Sequence, residues 1–567
     1  MFPIRLEFPE LGTEYWEGGM RIDVIDTVAG FDAVRDNWDQ VYRDDPDAQH
    51  FLSWTWLRDF LGHRGRWFVL ALRERERDAP YVAFLPLRLL TKLDEQSGLF
   101  YDEIVMGGNY SADYTGLIVM PGYEQKAIAG FAAYLKQQNW THLRLEHFSG
   151  PPERRDKIIQ ALQGPLVMFR DNALASHDNI DNTICPVVFL PASWDDYLDQ
   201  KMSSQTRQKL RRFLRKLDGD EGYRITMATP ETIDRDLTIL FDFWRTRWTE
   251  RKGLERTERL INSTREMLMD CFKSGTLDVP VFWFGEQPLG ALANIVDRPK
   301  KTILFYITGR DENWKTPSPG LMLHGYCIRR AIEDGFLFYD FLRGNEPYKY
   351  VFGADERRIS YTLFRTRDGR NLGGVLHPRS VNYVYEQALE MYRKGEKGKA
   401  EIVFTQVLQS SPGHPGAEFG LANLLFERGK LTEALAAYQL LLERTAEPLP
   451  IALRLGDTQL ALKLYEDAAL TFHRIGEQAP HVVQARYKEG IALIAARRFT
   501  QAETVLAAIR DIHTDDPAAI PYTEFASVAL GRLRQHIAAL EADEQIPEGM
   551  MGLPGKRGGE KRRPRMH

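Results

Sequence analysis

The stretch SPGLMLHGYCIRRAIEDG, residues 318–335, lies between two apolar runs, KTILFYIT (301–308) and FLFYDFLRG (336–344). The apolar runs predict strands, and the stretch between them predicts a helix. Leu321, Gly325, Ile328 and Ile332 fall on one helical face. Ser318 is suited to cap this helix, Pro319 to occupy its first turn, and Gly335 to stop it. Gly320 lets backbone approach closely. A helix start of this kind offers free N–H groups and the positive end of the helix dipole, which together attract anions. The same residues also suit an ordinary helix start, so the surrounding sequence must decide between the two.

Upstream, VPVFWFGEQPLGALANIV (279–296) predicts a hairpin turning at Gly285 to Pro288. The second half therefore reads strand, strand, strand, helix, strand. The first half repeats that order. WFVLALRERERDAPYVAFLPLRLL (67–90) predicts two strands around a charged turn, and DYTGLIVM (113–120) a third. EQKAIAGFAAYLKQQ (124–138) has helical spacing, and THLRLEHF (141–148) alternates as a strand. LRLEHFSG and FYDFLRG each place an acidic residue in an apolar run before a glycine. Two α+β modules in tandem are expected, over 20–185 and 186–370.

A different pattern governs the C-terminal third. Ala400, Ala434, Ala468 and Ala502 are spaced by 34 residues, with Phe404, Tyr438, Phe472 and Leu506 four positions later. Pro412, Ala446, Pro480 and Thr514 follow, while Ala422, Gly456 and Gly490 precede three of the alanines by twelve. Small residues let paired helices approach, and the large residue fills the space left. The unit resembles the tetratricopeptide repeat, and a helix near 522–541 would cap the stack. An all-α solenoid is expected over 380–541, binding a protein or peptide partner, or else bracing the rest of the chain. The basic, Gly- and Pro-rich segment 545–567 is expected to be disordered.

The totals restrict the function classes. A chain of 567 residues exceeds one hydrophobic core. A formal net charge of -5 argues against a nucleic-acid binder. Cys185, Cys271 and Cys327 lie far apart, which excludes a disulfide framework and a cysteine-rich zinc site, and no metal site is expected. No run approaches the about 18 apolar residues that a membrane span requires, and the start lacks the features of a signal peptide. A cytoplasmic protein without a transmembrane segment is expected.

Residues 306–353 resemble the GNAT-fold acyltransferases related to CelD and, more remotely, to FemAB. The resemblance rests on Ser318-Pro319-Gly320, on Asp340-Phe341-Leu342-Arg343-Gly344, and on Glu346 with Tyr348-Lys349. NYSADYTGLIV (109–119) and the basic helix SSQTRQKLRRFLRKL (203–217) extend it. Of the broader GNAT glycine loop, only Pro319-Gly320 is present. The resemblance implies tandem GNAT-like mixed-sheet modules and acetyl-CoA or another acyl-CoA as co-substrate. Ser318, Pro319, Gly320 and Leu321 would then cradle the donor.

Direct acyl transfer to an amine requires positioning, a base and donors for the developing oxyanion, but no protein nucleophile. That suits a sequence with no GxSxG elbow. Glu346, Asp340 and Tyr348 are the candidate catalytic residues; Asp113, Tyr114, Arg343 and Lys349 are the candidate substrate contacts. Asp340 interrupts an otherwise apolar strand and needs a partner. Arg343 is the nearest in sequence, so a purely structural Asp–Arg pair is equally open. His147 reads as a satisfied strand histidine. Helix 203–217 reads as amphipathic and solvated, or as facing an anionic acceptor or RNA phosphates.

The expected function is N-acylation of a small-molecule or saccharide amine, as in polysaccharide or cell-envelope biosynthesis. Two rivals remain: a FemAB-like transferase using aminoacyl-tRNA, and a catalytically inactive module whose solenoid acts as an adaptor.

Overall fold

The computed structural model describes residues 15–17, 19–76, 78–172, 179–219, 222–445, 448–510, 517 and 519–541. The expected disordered tail and the repeat positions Ala446 and Thr514 lie outside them. The described residues form two compact units, one made of residues up to 94 and 100–380, the other of 95–99 and 381–541.

The first unit holds a nine-stranded and an eight-stranded mixed sheet, so the α+β class stands. Each sheet is built around one parallel pair of strands joined by a helical crossover. In the first sheet the pair is Leu99–Met106 and His142–Phe148, with helix Glu124–Lys136 between them. In the second it is Thr302–Arg310 and Phe338–Asp340, with helix Pro319–Glu333 between them. The second pair follows the order expected from sequence; in the first sheet Leu99–Met106, which was not expected, takes the place given to 113–120.

Other elements differ. Of the strand expected over 113–120, only Ile118–Val119 pairs as a strand, and Thr115 makes a single bridge to Phe148. The strand expected over 336–344 shortens to Phe338–Asp340. The expected boundary at 185/186 falls inside strand Ile184–Phe189. That strand lies in the second sheet beside Phe338–Asp340, whereas Ser360–Thr366, from the end of the second half, lies in the first sheet beside His142–Phe148. The halves thus exchange one strand each, and neither sheet is complete without the other half.

Alternation of side chains divides the cores. Ile303 and Phe305 face one side of the second sheet, with Met322, Ile328 and Ile332 of helix Pro319–Glu333. Leu304 faces the other side, into a core shared with Phe31, Trp38, Phe51 and Leu57 of the first half. Helices Trp54–Gly62, Ile233–Lys252 and Leu254–Lys273 contribute to this shared layer. Burial of this size is the main force joining the halves.

The second unit contains, among the described residues, nine helices from Val381–Arg393 to Ile520–Glu541. Ala400, Ala434, Ala468 and Ala502 and the large residues four positions later are all fully buried. A Cβ at Gly456 would come within 2.5 Å of the Phe472 ring, and one at Gly490 within 2.6 Å of Leu506. Phe472 and Leu506 therefore each land on a glycine sixteen positions earlier, on the preceding helix, where Tyr438 has Ala422. This is the packing reason for the 34-residue period.

Candidate functional site

The parallel pairing in the second sheet stops early. Thr302, Ile303 and Leu304 pair with Phe338, Tyr339 and Asp340. Beyond that point, residues 305–310 stay bound to the outer strand Gln287–Asp297, as far as Gly290 opposite Arg310. On the other side, Phe341 and Gly344 donate to the carbonyls of Pro186 and Ile184 at 2.9 and 2.8 Å. The two central strands are thus pulled apart by their outer neighbours, which leaves a wedge between them. A register shift at Ala293/Asn294 makes Tyr306 the extra residue on the wedge strand, and its hydroxyl donates to the Ser111 carbonyl at 3.0 Å. In the first sheet the equivalent gap is closed by Thr115, whose N–H donates to the His147 carbonyl while its own carbonyl accepts from Ser149. The second sheet carries the open gap.

Helix Pro319–Glu333 begins beside this wedge strand. Ser318 occupies the cap position in extended backbone but makes no side-chain cap bond, which corrects the expectation that it caps. The Gly320 and Leu321 N–H groups precede the first intrahelical bond, Met322 N–H to the Ser318 carbonyl at 3.0 Å. A Cβ at Gly320 would sit 3.3 Å from Nη1 of Arg310, so the guanidinium stands over the helix start. At the far end, Gly335 (φ +78°) and Phe336 donate to the Ile332 and Ala331 carbonyls, the Schellman stop expected from sequence.

Asp340, the last paired residue before the wedge, is fully buried. Its partner is not Arg343. The Tyr114 hydroxyl reaches both carboxylate oxygens, at 2.8 and 2.9 Å, and the Leu342 N–H donates to Oδ1 at 2.7 Å. Leu342 adopts φ +56°, and this left-handed turn carries Arg343 away from Asp340. Burial raises the Asp340 carboxyl to about 6, against the opposing effect of these donors. Burial and the neighbouring Asp340 push the Tyr114 phenol far up, so it remains a donor.

Arg343 instead binds Asp113, with Nε and Nη2 at 2.7 and 2.5 Å from Oδ1. Its Nη1 meets Nε2 of His147 at 2.8 Å and the Tyr361 hydroxyl at 3.3 Å. Burial and Arg343 lower His147 to about 4. The ring is therefore neutral, with Nδ1–H donating to the Ala112 carbonyl and Nε2 accepting from Arg343.

Lys349 was expected to touch substrate; its ammonium is buried and internally committed. Nζ donates to the Arg343 and Gly344 carbonyls at 2.7 and 3.0 Å and pairs with Glu346 at 2.9 Å. Two of its donors are thus spent on carbonyls, and the Glu346 contact is an ion pair without a hydrogen bond. Glu346 is half-buried, and Tyr348 remains 41% exposed. Burial raises the Tyr348 phenol, as does Glu346. Of the predicted residues, Asp340 and Tyr114 meet one another, as do Arg343 with Asp113 and Glu346 with Lys349. Arg310, Tyr306 and Tyr361 went unnoticed in the sequence. Tyr306 could have been sought as an aromatic opposite a bulge, but nothing local marks the bulge.

Residues 204–350 match the family model of the acetyltransferase (GNAT) domain, and residues 385–454 and 450–517 match tetratricopeptide repeat models. The chain carries a GNAT-type acetyltransferase domain followed by tetratricopeptide repeats. No curated protein matches it. Similar solved structures include FemX, at 11% identity and a TM-score of 0.40, over 58% of this chain and 95% of that one. A conserved protein from Bacteroides thetaiotaomicron VPI-5482 aligns at 12% identity and 0.35, over 61% and 99%. MamA from Desulfovibrio magneticus RS-1 aligns at 15% and 0.24, over 30% and 98%. Among the described residues, no helix is long and apolar enough to cross a membrane.

Proposed function

We propose that this chain is an N-acyltransferase that moves an acetyl or other acyl group from coenzyme A to an amine. The observation that carries the reading is the wedge between Thr302–Arg310 and Phe338–Asp340, flanked by a helix start at Pro319-Gly320 under Arg310. Exposed backbone N–H groups and a guanidinium fit a pyrophosphate, and parted strands offer backbone donors to an extended thioester arm. Ser318, Pro319, Gly320 and Leu321 form the cradle.

In this reading the amine nitrogen attacks the thioester carbonyl. The C–N bond forms, the C–S bond breaks, and the thiolate leaves as coenzyme A. Glu346 takes the ammonium proton, and Tyr348, kept protonated by burial and by the Glu346 charge, returns one to the thiolate. Asp340 and Tyr114 hold the wedge strand end; Asp113 and Arg343 shape the acceptor side. The acceptor class includes amines on saccharides, and an acyl-CoA donor implies the cytoplasm. The repeats bind a protein or peptide partner.

A second reading, with aminoacyl-tRNA as donor, draws on helix Ser204–Asp218. Lys209, Arg211, Arg212 and Arg215 are exposed on it, and its Leu210 is buried against Gly325 of the donor helix. Thermal-shift titration of the full chain separates these. Saturable stabilisation by micromolar acetyl-CoA, abolished by Gly320→Glu, supports the first reading. Stabilisation by charged tRNA alone supports the second, and a response to neither leaves the adaptor role of the repeats.

A further inference from the structure

A cavity of about 100 Å³ lies between helices Trp54–Gly62 and Leu254–Lys273, on the side of the wedge strand away from the donor helix. It is joined to the wedge through Tyr306, because Ser111, whose carbonyl holds the Tyr306 hydroxyl, also lines the cavity. Its volume exceeds that of a single water several-fold, enough for a ligand of several heavy atoms.

The lining has two chemical ends. Asp59 and Asp270 supply carboxylates; Asp59 has no ion pair among the described residues, and Asp270 pairs outward with Lys273 at 3.3 Å. Burial, then the neighbouring Asp270 charge, raises the Asp59 carboxyl, against the opposing charges of Arg58, His63 and Lys273. The other end holds two donors, Trp56 and Arg64, beside the Glu266 carboxylate. Trp56 lines the cavity at 4% exposure, and its Nε1 has no acceptor among the described residues. Arg64 spends one donor on the Phe60 carbonyl, at 3.0 Å, and makes no ion pair among the described residues. Its guanidinium lies 3.6 Å over the Phe60 ring. A buried N–H without an acceptor is costly, and an amine alone cannot relieve it.

We infer that this cavity is the acceptor site and that the acceptor is a small α-amino acid, its ammonium toward Asp59 and Asp270 and its carboxylate toward Trp56 and Arg64. The inference rests on the acyltransferase reading and narrows its acceptor to a zwitterion. A dication would satisfy the carboxylates and leave the indole unpaired; a simple anion would do the reverse.

The test is calorimetric titration of the full chain with alanine, alanine methyl ester and ethylamine, with acetyl-CoA titrated separately. Alanine should bind, and the ester and ethylamine should bind at least about tenfold more weakly. Asp59→Asn and Arg64→Gln should each weaken alanine about tenfold without changing acetyl-CoA affinity. Trp56→Phe, which removes only the indole donor and some volume, should do the same. Equal binding of ethylamine and alanine overturns the zwitterion site, and so does acetyl-CoA binding without any response to millimolar alanine. Alanine binding without acetyl-CoA binding would keep the site and remove the donor assignment.

Discussion

The Tyr114 hydroxyl, from the first half of the unit, lies 2.8 and 2.9 Å from the two carboxylate oxygens of Asp340 on the second. This contact joins the exchanged sheets at the residue where the parallel pair parts. Tyr114→Phe removes that donor and leaves a fully buried carboxylate with only the Leu342 N–H. A hydrogen bond to a charged group of this kind is worth about 2–3 kcal/mol, so unfolding in urea should show a loss of that order. Asp340→Ala in the Tyr114→Phe background should cost much less than Asp340→Ala alone, because both changes remove one shared interaction. Additive losses would show that the contact carries no coupling.

Asp340 also makes a pH prediction. Burial raises its carboxyl from 3.8 to about 6. At pH values between these, the native state keeps a proton that the unfolded chain has released. Asp340 therefore contributes most stability below about pH 4, and that contribution is lost as pH rises through 6. The amount is on the order of 3 kcal/mol. The difference in stability between wild type and Asp340→Asn, followed from pH 4 to 7, should shift against wild type across this window. A difference that does not change with pH would mean that the carboxyl titrates normally.

Glu346 and Lys349 separate chemistry from bracing. Glu346→Gln should lower kcat about 10²-fold or more while leaving acyl-CoA affinity unchanged, because a general base acts only in the transition state. Wild-type turnover would remove Glu346 from the mechanism. Lys349→Met keeps the aliphatic stem but removes the donors to the Arg343 and Gly344 carbonyls. It should destabilise by about 2 kcal/mol and lower turnover through Glu346. Unchanged stability would show that the ammonium does not brace the turn.

The order in the second sheet was legible because its parallel pair is local, with strand, helix and strand inside 302–340; in the first sheet Leu99–Met106 went unread. The strand exchange was not legible, since Ile184–Phe189 and Ser360–Thr366 carry ordinary strand patterns that fit either sheet. Asp340 was recognisable as a carboxylate needing a partner. Its partner was not, because Tyr114 lies 226 positions away while Arg343 lies three. Lys349 reads as a substrate contact in a Pro- and Tyr-rich loop, and only the turn at Leu342 and Gly344 brings two carbonyls to its ammonium. The shared core drew on helices Ile233–Lys252 and Leu254–Lys273, which no motif marked.

The repeat period makes its own prediction. At Gly456 an added Cβ would meet the Phe472 ring at 2.5 Å, and Phe472 is fully buried with no room to turn away. Gly456→Ala should therefore destabilise the repeats by about 1–3 kcal/mol, despite alanine's better helix propensity. Gly490→Ala meets a branched leucine rather than a ring, at 2.6 Å, and should cost less. Gly531 lies within helix Ile520–Glu541 with nothing inside 4 Å of an added Cβ. There the propensity term acts alone, and Gly531→Ala should stabilise by up to about 1 kcal/mol. Circular dichroism melts of the three variants in the full chain give the order. If Gly456→Ala melts at or above wild type, close helix approach is not what holds the 34-residue spacing.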